Sequence, residues 1–292
     1  MPDAPPTFLD VPRLLERSHP KPRPSWAWYG LVAAAVFVMT STWAASQNPQ
    51  MQAIVNPLGG LAMLGIMVGM GIFATSAVKR QRQEQQRLEA VEELVQLRSY
   101  DQAAAMLDAM LSQPTRSGGA RLQALVYLAT VLARYHRFED AITVQKYLLE
   151  NAEFDPAATH GLKLMRAMAM LHEDHLFDAD RAINELRRES ADSAGLALIE
   201  IYRDVKTGHP AEAIDLFRTK LPALRAQLGN RVADAYALVA RAHDLTGDAT
   251  RAAVEWDRAT LLAPPAELTR RYPELAALAD KYPAAAMPQE AA

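Results

Sequence analysis

The sequence predicts an all-α protein: an N-terminal hairpin of two transmembrane helices, followed by an α-solenoid of about five helix pairs. Three observations support this prediction. The 53 residues from 26 to 78 contain no charged residue and no histidine, in a chain that is 22% charged. After residue 80, Ala, Leu, Arg, Glu and Gln dominate, and these residues favour helix. A short turn-and-helix signature also recurs in that second part.

Two apolar stretches, residues 26–45 and 58–78, make up most of the uncharged segment, and a polar turn over residues 46–57 separates them. A helix of about 20 residues extends for about 30 Å, the thickness of the hydrocarbon core of a bilayer. A cleaved signal peptide is the main alternative for the first stretch, but the stretch is longer than a typical signal core and a second one follows directly. We therefore predict two spans, with the lipid bilayer as a partner.

Basic residues flank the hairpin on both sides and are missing from the connecting turn. The positive-inside rule then places the N- and C-termini in the cytoplasm, so we predict a multi-pass protein of the inner (cell) membrane. Residues 1–25 are rich in proline and are predicted to be a disordered cytoplasmic tail, with at most one or two helical turns between Phe8 and Arg17. Residues 79–98 are predicted to be a basic helical linker into the first repeat.

Small residues recur at four-residue spacing in both spans, as Gly30 and Ala34 and as Gly65 and Gly69. Glycine lets helix backbones approach closely, and such packing holds helices together in lipid. The first interpretation is that these residues pack the two spans against each other. The second is a homodimer face, which leaves a homo-oligomer open.

The signature that recurs after residue 82 is a polar turn followed by a helix that carries an early alanine. The copies start at Ser99, Arg137, His209 and Asp248, with a weaker copy at Asp178, and their key alanines are Ala103, Ala141, Ala182, Ala213 and Ala252. A small alanine lets two helices cross closely, and an acidic residue near the helix start favours its positive end. The alanines lie 38, 41, 31 and 39 residues apart, so the predicted spacing drifts.

This pattern resembles the tetratricopeptide repeat, a helix–turn–helix unit. The best match is Ala233–Pro264, through Tyr236, Val239, Ala240, Gly247, Asp248, Ala252, Trp256, Ala259 and Pro264. The resemblance covers residues 84–264 and implies a solenoid of stacked helix pairs. For residues 265–292 we predict a capping helix from about Glu267 to Lys281, followed by a disordered tail.

The resemblance implies that the first helix of each repeat lines a concave surface that binds a protein or peptide. By register, this surface includes Thr130, Arg134, Tyr202, Lys206, Arg241 and Asp244. Arginine and lysine bind acidic groups, and tyrosine is a frequent anchor at interfaces. An ordinary solvated face is the alternative for each residue. We predict a membrane-anchored scaffold that localises a partner to the inner face of the membrane; the alternative is a structural or assembly subunit of a larger membrane complex.

No motif for catalysis or for a cofactor is present, so we predict that the protein is not an enzyme. The pair His172 and His175 is the only candidate for a metal, but it lacks a third ligand at a recognisable spacing, and we predict no metal site. A net charge of −3 argues against binding of nucleic acid.

Overall fold

The computed structural model of the protein describes residues 9–19, 82–114 and 117–282, together with the single positions 36, 39, 40, 43, 75 and 79. Every secondary-structure element among the described residues is helical, which confirms the prediction of an all-α chain. Two compact units are present, one formed by residues 6–131 and the other mainly by residues 132–292.

The predicted transmembrane hairpin falls almost entirely outside the described residues, and so do its small residues Gly30, Ala34, Gly65 and Gly69. In the part of the chain that is described, no helix is both long enough and apolar enough to cross a membrane. The predicted localisation as a multi-pass protein of the inner membrane is therefore corrected, and we do not retain it.

The first unit contains four helices in its described part. They are α1 (Val11–Arg17), α2 (residues 82–96), α3 (Tyr100–Leu111) and α4 (Gly118–Arg134), of which α4 runs into the second unit. Helix α1 lies within the range for which the sequence predicts a disordered tail. It begins at Asp10, whose side chain accepts a hydrogen bond from the Arg13 amide at 3.3 Å.

A buried arginine of α4 ties α1 to the first unit. Arg121 Nε donates to Ser18 Oγ at 2.9 Å, and Arg121 Nη2 donates to the Leu15 carbonyl at 2.9 Å. The side chains of Leu9, Val11 and Leu14 are also buried. The Leu15 carbonyl, one of the last four of the helix that have no partner within it, thus accepts a bond from a charged donor. This bond offsets the low intrinsic stability of so short a helix.

The second unit contains nine further helices among the described residues. They are α5 (Phe138–Asn151), α6 (Pro156–His172), α7 (Leu176–Glu189), α8 (Ala194–Lys206), α9 (Pro210–Leu228), α10 (Val232–Leu245), α11 (Ala249–Leu262), α12 (Pro265–Arg271) and α13 (Ala276–Lys281). Most residues of α8 and α10 are buried, 10 of 13 and 11 of 14, and the buried residues include the acidic side chains of Glu200, Asp204 and Asp234. The two helices form the centre of the hydrophobic core, together with Trp256 of α11.

One turn geometry recurs five times along the described chain. In each pair, the residue two positions after the last residue of the first helix has a positive φ: Arg98 (61°), His136 (57°), Asp174 (60°), Gly208 (78°) and Gly247 (81°). The next residue donates its amide to the carbonyl five positions earlier, over 2.8 to 2.9 Å in every copy. This is the Schellman cap, which satisfies a free carbonyl and reverses the chain for the second helix. The described part of the chain therefore contains five helix pairs joined by the same turn.

The common turn corrects the register of the third repeat. In each copy, the residue five positions after the positive-φ residue is a fully buried alanine whose amide bonds to the cap carbonyl: Ala103, Ala141, Ala179, Ala213 and Ala252. The sequence prediction used Ala182, which is only half buried. With Ala179 in its place, the distance along the chain from Ala141 becomes 38 residues instead of 41, and the distance to Ala213 becomes 34 instead of 31. The equivalent alanine thus lies about one helical turn earlier than predicted.

The single capping helix predicted from about Glu267 to Lys281 is also corrected. The structure has two short helices, α12 and α13, with a 3₁₀ turn, Pro273–Leu275, between them. Tyr272 has an extended backbone, φ −131° and ψ 92°, because a residue that precedes proline avoids the helical conformation.

Candidate functional site

Six charged or aromatic side chains of the second unit come from the first helices of the pairs and meet the same segment of the chain. We call them the first-helix face: Arg134 of α4, His172 of α6, Tyr202 and Lys206 of α8, and Asp234 and Asp244 of α10. Four of these six residues lie within the last turn of their helix or are its final residue. The repeated turn thus delivers side chains from four different helices to one surface.

The segment that lies on this face is Pro265–Tyr282, which we call the C-terminal segment. Four of its six charged side chains each meet a charge of opposite sign on the face. The pairs are Glu267 with Arg134 (3.5 Å), Arg271 with Asp234 (2.5 Å), Glu274 with Lys206 (3.6 Å) and Lys281 with Asp244 (2.6 Å). The C-terminal segment therefore does more than cap the last repeat, because it reaches as far back as the end of α4.

An aromatic cluster lies at the centre of the contact. The ring of His172 stacks on Phe138, with centroids 4.4 Å apart and planes 7° apart. The same imidazole lies 5.0 Å from the Tyr202 ring and 5.8 Å from the Tyr272 ring, and the two tyrosines meet edge to face at 5.0 Å. Such edge and offset contacts stabilise aromatic pairs beyond the area that they bury.

The Tyr202 hydroxyl connects this cluster to the charges. It donates a hydrogen bond to Glu274 Oε1 at 2.9 Å and lies 3.2 Å from His172 Nδ1. Because a phenol has one proton and Glu274 accepts it, the imidazole must donate from Nδ1 to the Tyr202 oxygen. The geometry thus assigns the Nδ1–H form to His172.

Burial keeps His172 neutral. Its pKa falls from 6.5 to about 4, first because of desolvation and then because of the positive charge of Lys206. The pKa values of Tyr202 and Tyr272 are both raised, mainly by burial and next by the nearby carboxylates of Glu274 and Asp234. The cluster is therefore uncharged at neutral pH, and charge is confined to its edges.

The buried carboxylate of Asp234 marks one edge. Burial raises the pKa of Asp234, while Arg271 and Arg231 oppose that rise. The guanidinium of Arg271 contacts Asp234 Oδ1, and the Tyr272 hydroxyl lies 3.5 Å from Asp234 Oδ2. A buried charge is tolerated only when it is paired, and here the partner comes from the C-terminal segment.

Four of the six predicted binding residues contact the C-terminal segment. Arg134, Lys206 and Asp244 form ion pairs with it, and Tyr202 is fully buried beneath it. Tyr202 thus contacts the chain's own C-terminal segment, through Glu274 and Tyr272. The other two bond within their own helices: Thr130 Oγ1 donates to the Val126 carbonyl at 3.1 Å, and Arg241 pairs with Asp244 at 2.7 Å.

Sequence analysis did not identify Asp234 as part of the first-helix face or Phe138 as part of the aromatic cluster. A single acidic residue inside the apolar run of α10 is the signal that points to Asp234, since a buried carboxylate requires a partner. Phe138 carries no such signal, because an aromatic residue at the start of a helix is equally consistent with the core.

The two histidines considered as metal ligands lie in different environments. His172 belongs to the aromatic cluster, whereas His175 Nε2 contacts the carboxylate of Glu139 at 3.1 Å. Within the described parts of the chain, no three His, Asp or Glu side chains are grouped so that they would hold a metal ion.

Comparison with protein-family models, with curated proteins and with solved structures gave no match. The structure therefore defines the class: an all-helical chain of repeat-like helix pairs.

Proposed function

We propose that this chain is a tetratricopeptide-like helical-repeat protein that binds a protein or peptide partner on the first-helix face. The observation that carries the proposal is the C-terminal segment itself. A short helical peptide of the chain already lies on this face, with opposite charges at four positions and a tyrosine at the centre. A surface that accommodates one such peptide has the shape and the charges to bind another.

The composition of the face supports a peptide ligand. Arg134 and Lys206 present cations at sites where less than a fifth of each side chain is exposed. Exposed ion pairs contribute about 0–1 kcal/mol, whereas a largely buried cation is costly unless it is paired, so these two sites require an acidic partner. Lys206 also donates to the Leu171 carbonyl and contacts Asp174 at 2.9 Å, so its ammonium is held in position before a ligand arrives.

The electrostatics support a binding role more than catalysis at this surface. A general acid or base works best with a pKa near the working pH. The pKa of His172 is lowered to about 4, and the pKa values of Tyr202 and Tyr272 are raised. These shifts move all three groups away from neutrality.

Photocrosslinking in cells tests the proposal. A photoreactive amino acid replaces Arg241, which lies on α10 about one turn before Asp244. In the control, the same amino acid replaces Lys146 on α5, the second helix of its pair. We expect a defined adduct from position 241 and none from position 146. The double variant R134E/K206E should abolish the adduct, whereas the control variant K146E/K163E should retain it. Equal adducts from both positions, or an adduct that R134E/K206E leaves unchanged, would contradict the proposal.

A further inference from the structure

We propose that the C-terminal segment is a built-in ligand of the first-helix face, and that the partner that replaces it is a short helical peptide with the same order of charges around a central aromatic residue. This inference rests on the proposed function. It adds the chemistry of the ligand and the means by which the chain closes its own site.

The order of charges is the first step. Of the six charged residues of the C-terminal segment, the four that pair with the face are, in order, Glu267, Arg271, Glu274 and Lys281, an acid, a base, an acid and a base. They meet Arg134, Asp234, Lys206 and Asp244 on the first-helix face, so all four contacts join opposite charges. Complementary charges of this kind fix the register of a peptide and exclude sequences with the wrong order.

The apolar side of the segment is the second step. Leu268, Tyr272, Leu275 and Leu278 are all buried, and they lie four, three and three residues apart. They come in turn from α12, the extended residue between the helices, the 3₁₀ turn and α13, so every part of the segment contributes an apolar anchor. The helices α12 and α13 have seven and six residues, and helices this short are unstable in water by themselves. Contact with the face therefore stabilises both short helices.

Incomplete hydrogen bonding is the third step. Within the described residues, buried Glu274 Oε2 and buried Arg271 Nε have no hydrogen-bond partner. Each atom has lost its water without a replacement, which weakens the contact relative to a fully bonded one. A partner peptide whose carboxylate, in the place of Glu274, has both oxygens hydrogen-bonded would bind the face more strongly than the segment does. Such a peptide would compete with the segment even though the segment is covalently attached to the face.

Attachment also sets the apparent affinity for the partner. A peptide in solution binds only to the fraction of molecules whose own segment is released, and its apparent affinity falls by that fraction. Locking the segment on the face should block the peptide, and loosening the segment should favour it.

A reversible lock gives the test. The chain contains no cysteine, so D244C/K281C provides one unique pair of thiols at a contact between the face and the segment. A thiol crosslinker with a reducible spacer joins them in the full chain. The control K163C/E189C places the same crosslinker between α6 and α7, at an ion pair that does not involve the segment. The probe is a labelled peptide with the sequence of residues 265–282, and fluorescence anisotropy measures its binding.

We expect the crosslinked D244C/K281C chain to bind the peptide about tenfold or more weakly than the same chain after reduction of the spacer. Crosslinking of the control pair should leave binding unchanged, and a peptide with E267K/E274K should bind no form. A second chain with E267K/E274K keeps the apolar side chains and loosens only the charges, so it should bind the wild-type peptide more tightly than the wild-type chain does. Circular dichroism checks that each variant retains its helix content.

Three results would overturn the inference: equal binding by the crosslinked and reduced chains, no binding of the peptide by any form, or a concentration-dependent dimer of the loosened E267K/E274K chain, which would assign the face to a second copy. The proposed function has its own readout. A partner still captured from position 241, when the peptide binds no form, would reject this inference and retain the proposed function.

Discussion

The hydroxyl of Tyr202 donates a hydrogen bond to Glu274, a residue 72 positions further along the chain, over 2.9 Å. This bond joins α8, at the centre of the core, to the 3₁₀ turn between α12 and α13. Lys206, one turn along α8, contacts the same carboxylate at 3.6 Å. Two residues expected from the sequence to meet an external partner are therefore engaged by the chain's own C-terminal segment.

Removal of the Tyr202 hydroxyl should destabilise the fold. Tyr202→Phe keeps the ring but leaves Glu274 and His172 Nδ1 without their shared partner in a buried site. We expect the free energy of unfolding to fall by about 1–3 kcal/mol, measured by urea denaturation. In the control Tyr236→Phe, the lost partner Arg225 is exposed and rebinds water, so its cost should be below about 1 kcal/mol. Equal costs for both variants would contradict the assigned role of the hydroxyl.

Acid should weaken the fold through His172. Above pH 6.5 the imidazole is neutral in the folded and the unfolded chain. Between pH 6.5 and about 4 the unfolded chain binds a proton that the folded chain does not, so the free energy of unfolding falls as the pH falls. A pKa difference of about 2.5 corresponds to on the order of 3 kcal/mol over this window.

The pH dependence is measured as the difference between the wild-type chain and His172→Gln. The glutamine does not titrate, so the variant should lose this part of the slope between pH 6.5 and 4. If His172→Gln retains the full slope, other groups dominate acid unfolding and the assigned environment of His172 is wrong.

The repeated turn predicts opposite effects of glycine at two equivalent positions. Arg98 and Gly247 occupy the same step of the turn, with φ of 61° and 81°. Side chains other than glycine are strained there by about 1 kcal/mol. Arg98→Gly should therefore raise the midpoint of thermal unfolding, and Gly247→Ala should lower it. A fall for both variants would show that the Arg98 side chain contributes more than its backbone costs.

A charge exchange tests the contact between Lys206 and Glu274. Lys206→Glu and Glu274→Lys each place two like charges within reach, so each single variant should lower the free energy of unfolding by about 1–3 kcal/mol. The double exchange restores opposite charges and should recover part of the loss, which a double-mutant cycle measures. Additive losses would mean that the two residues do not interact.

The helical part of the fold could be predicted because its turns are local. The turn residue, the helix cap and the alanine of each copy lie within six positions, so the pattern of residue types that forms the turn can be recognised in the sequence. The third repeat was misplaced by one turn because Ala179 and Ala182 lie on the same side of α7, and only burial distinguishes them. The solenoid and its family resemblance remain predictions.

The first-helix face was only partly predictable. Register places Arg134, Tyr202 and Lys206 on the first helices, but their partners Glu267 and Glu274 are more than 60 residues away, and no local pattern indicates such contacts. Pro273 is the one local signal in the C-terminal segment, and it explains the break between α12 and α13.

Native-state hydrogen exchange of the full chain tests the central claim most directly, because it reports whether the C-terminal segment opens separately from the core. We predict that amides of residues 265–282 exchange faster than those of α8 and α10, and that R134E/K206E accelerates the segment while α10 keeps its protection. Exchange of the segment, α8 and α10 at one common rate would show that the segment is released only by global unfolding. That result would contradict a displaceable ligand on the first-helix face.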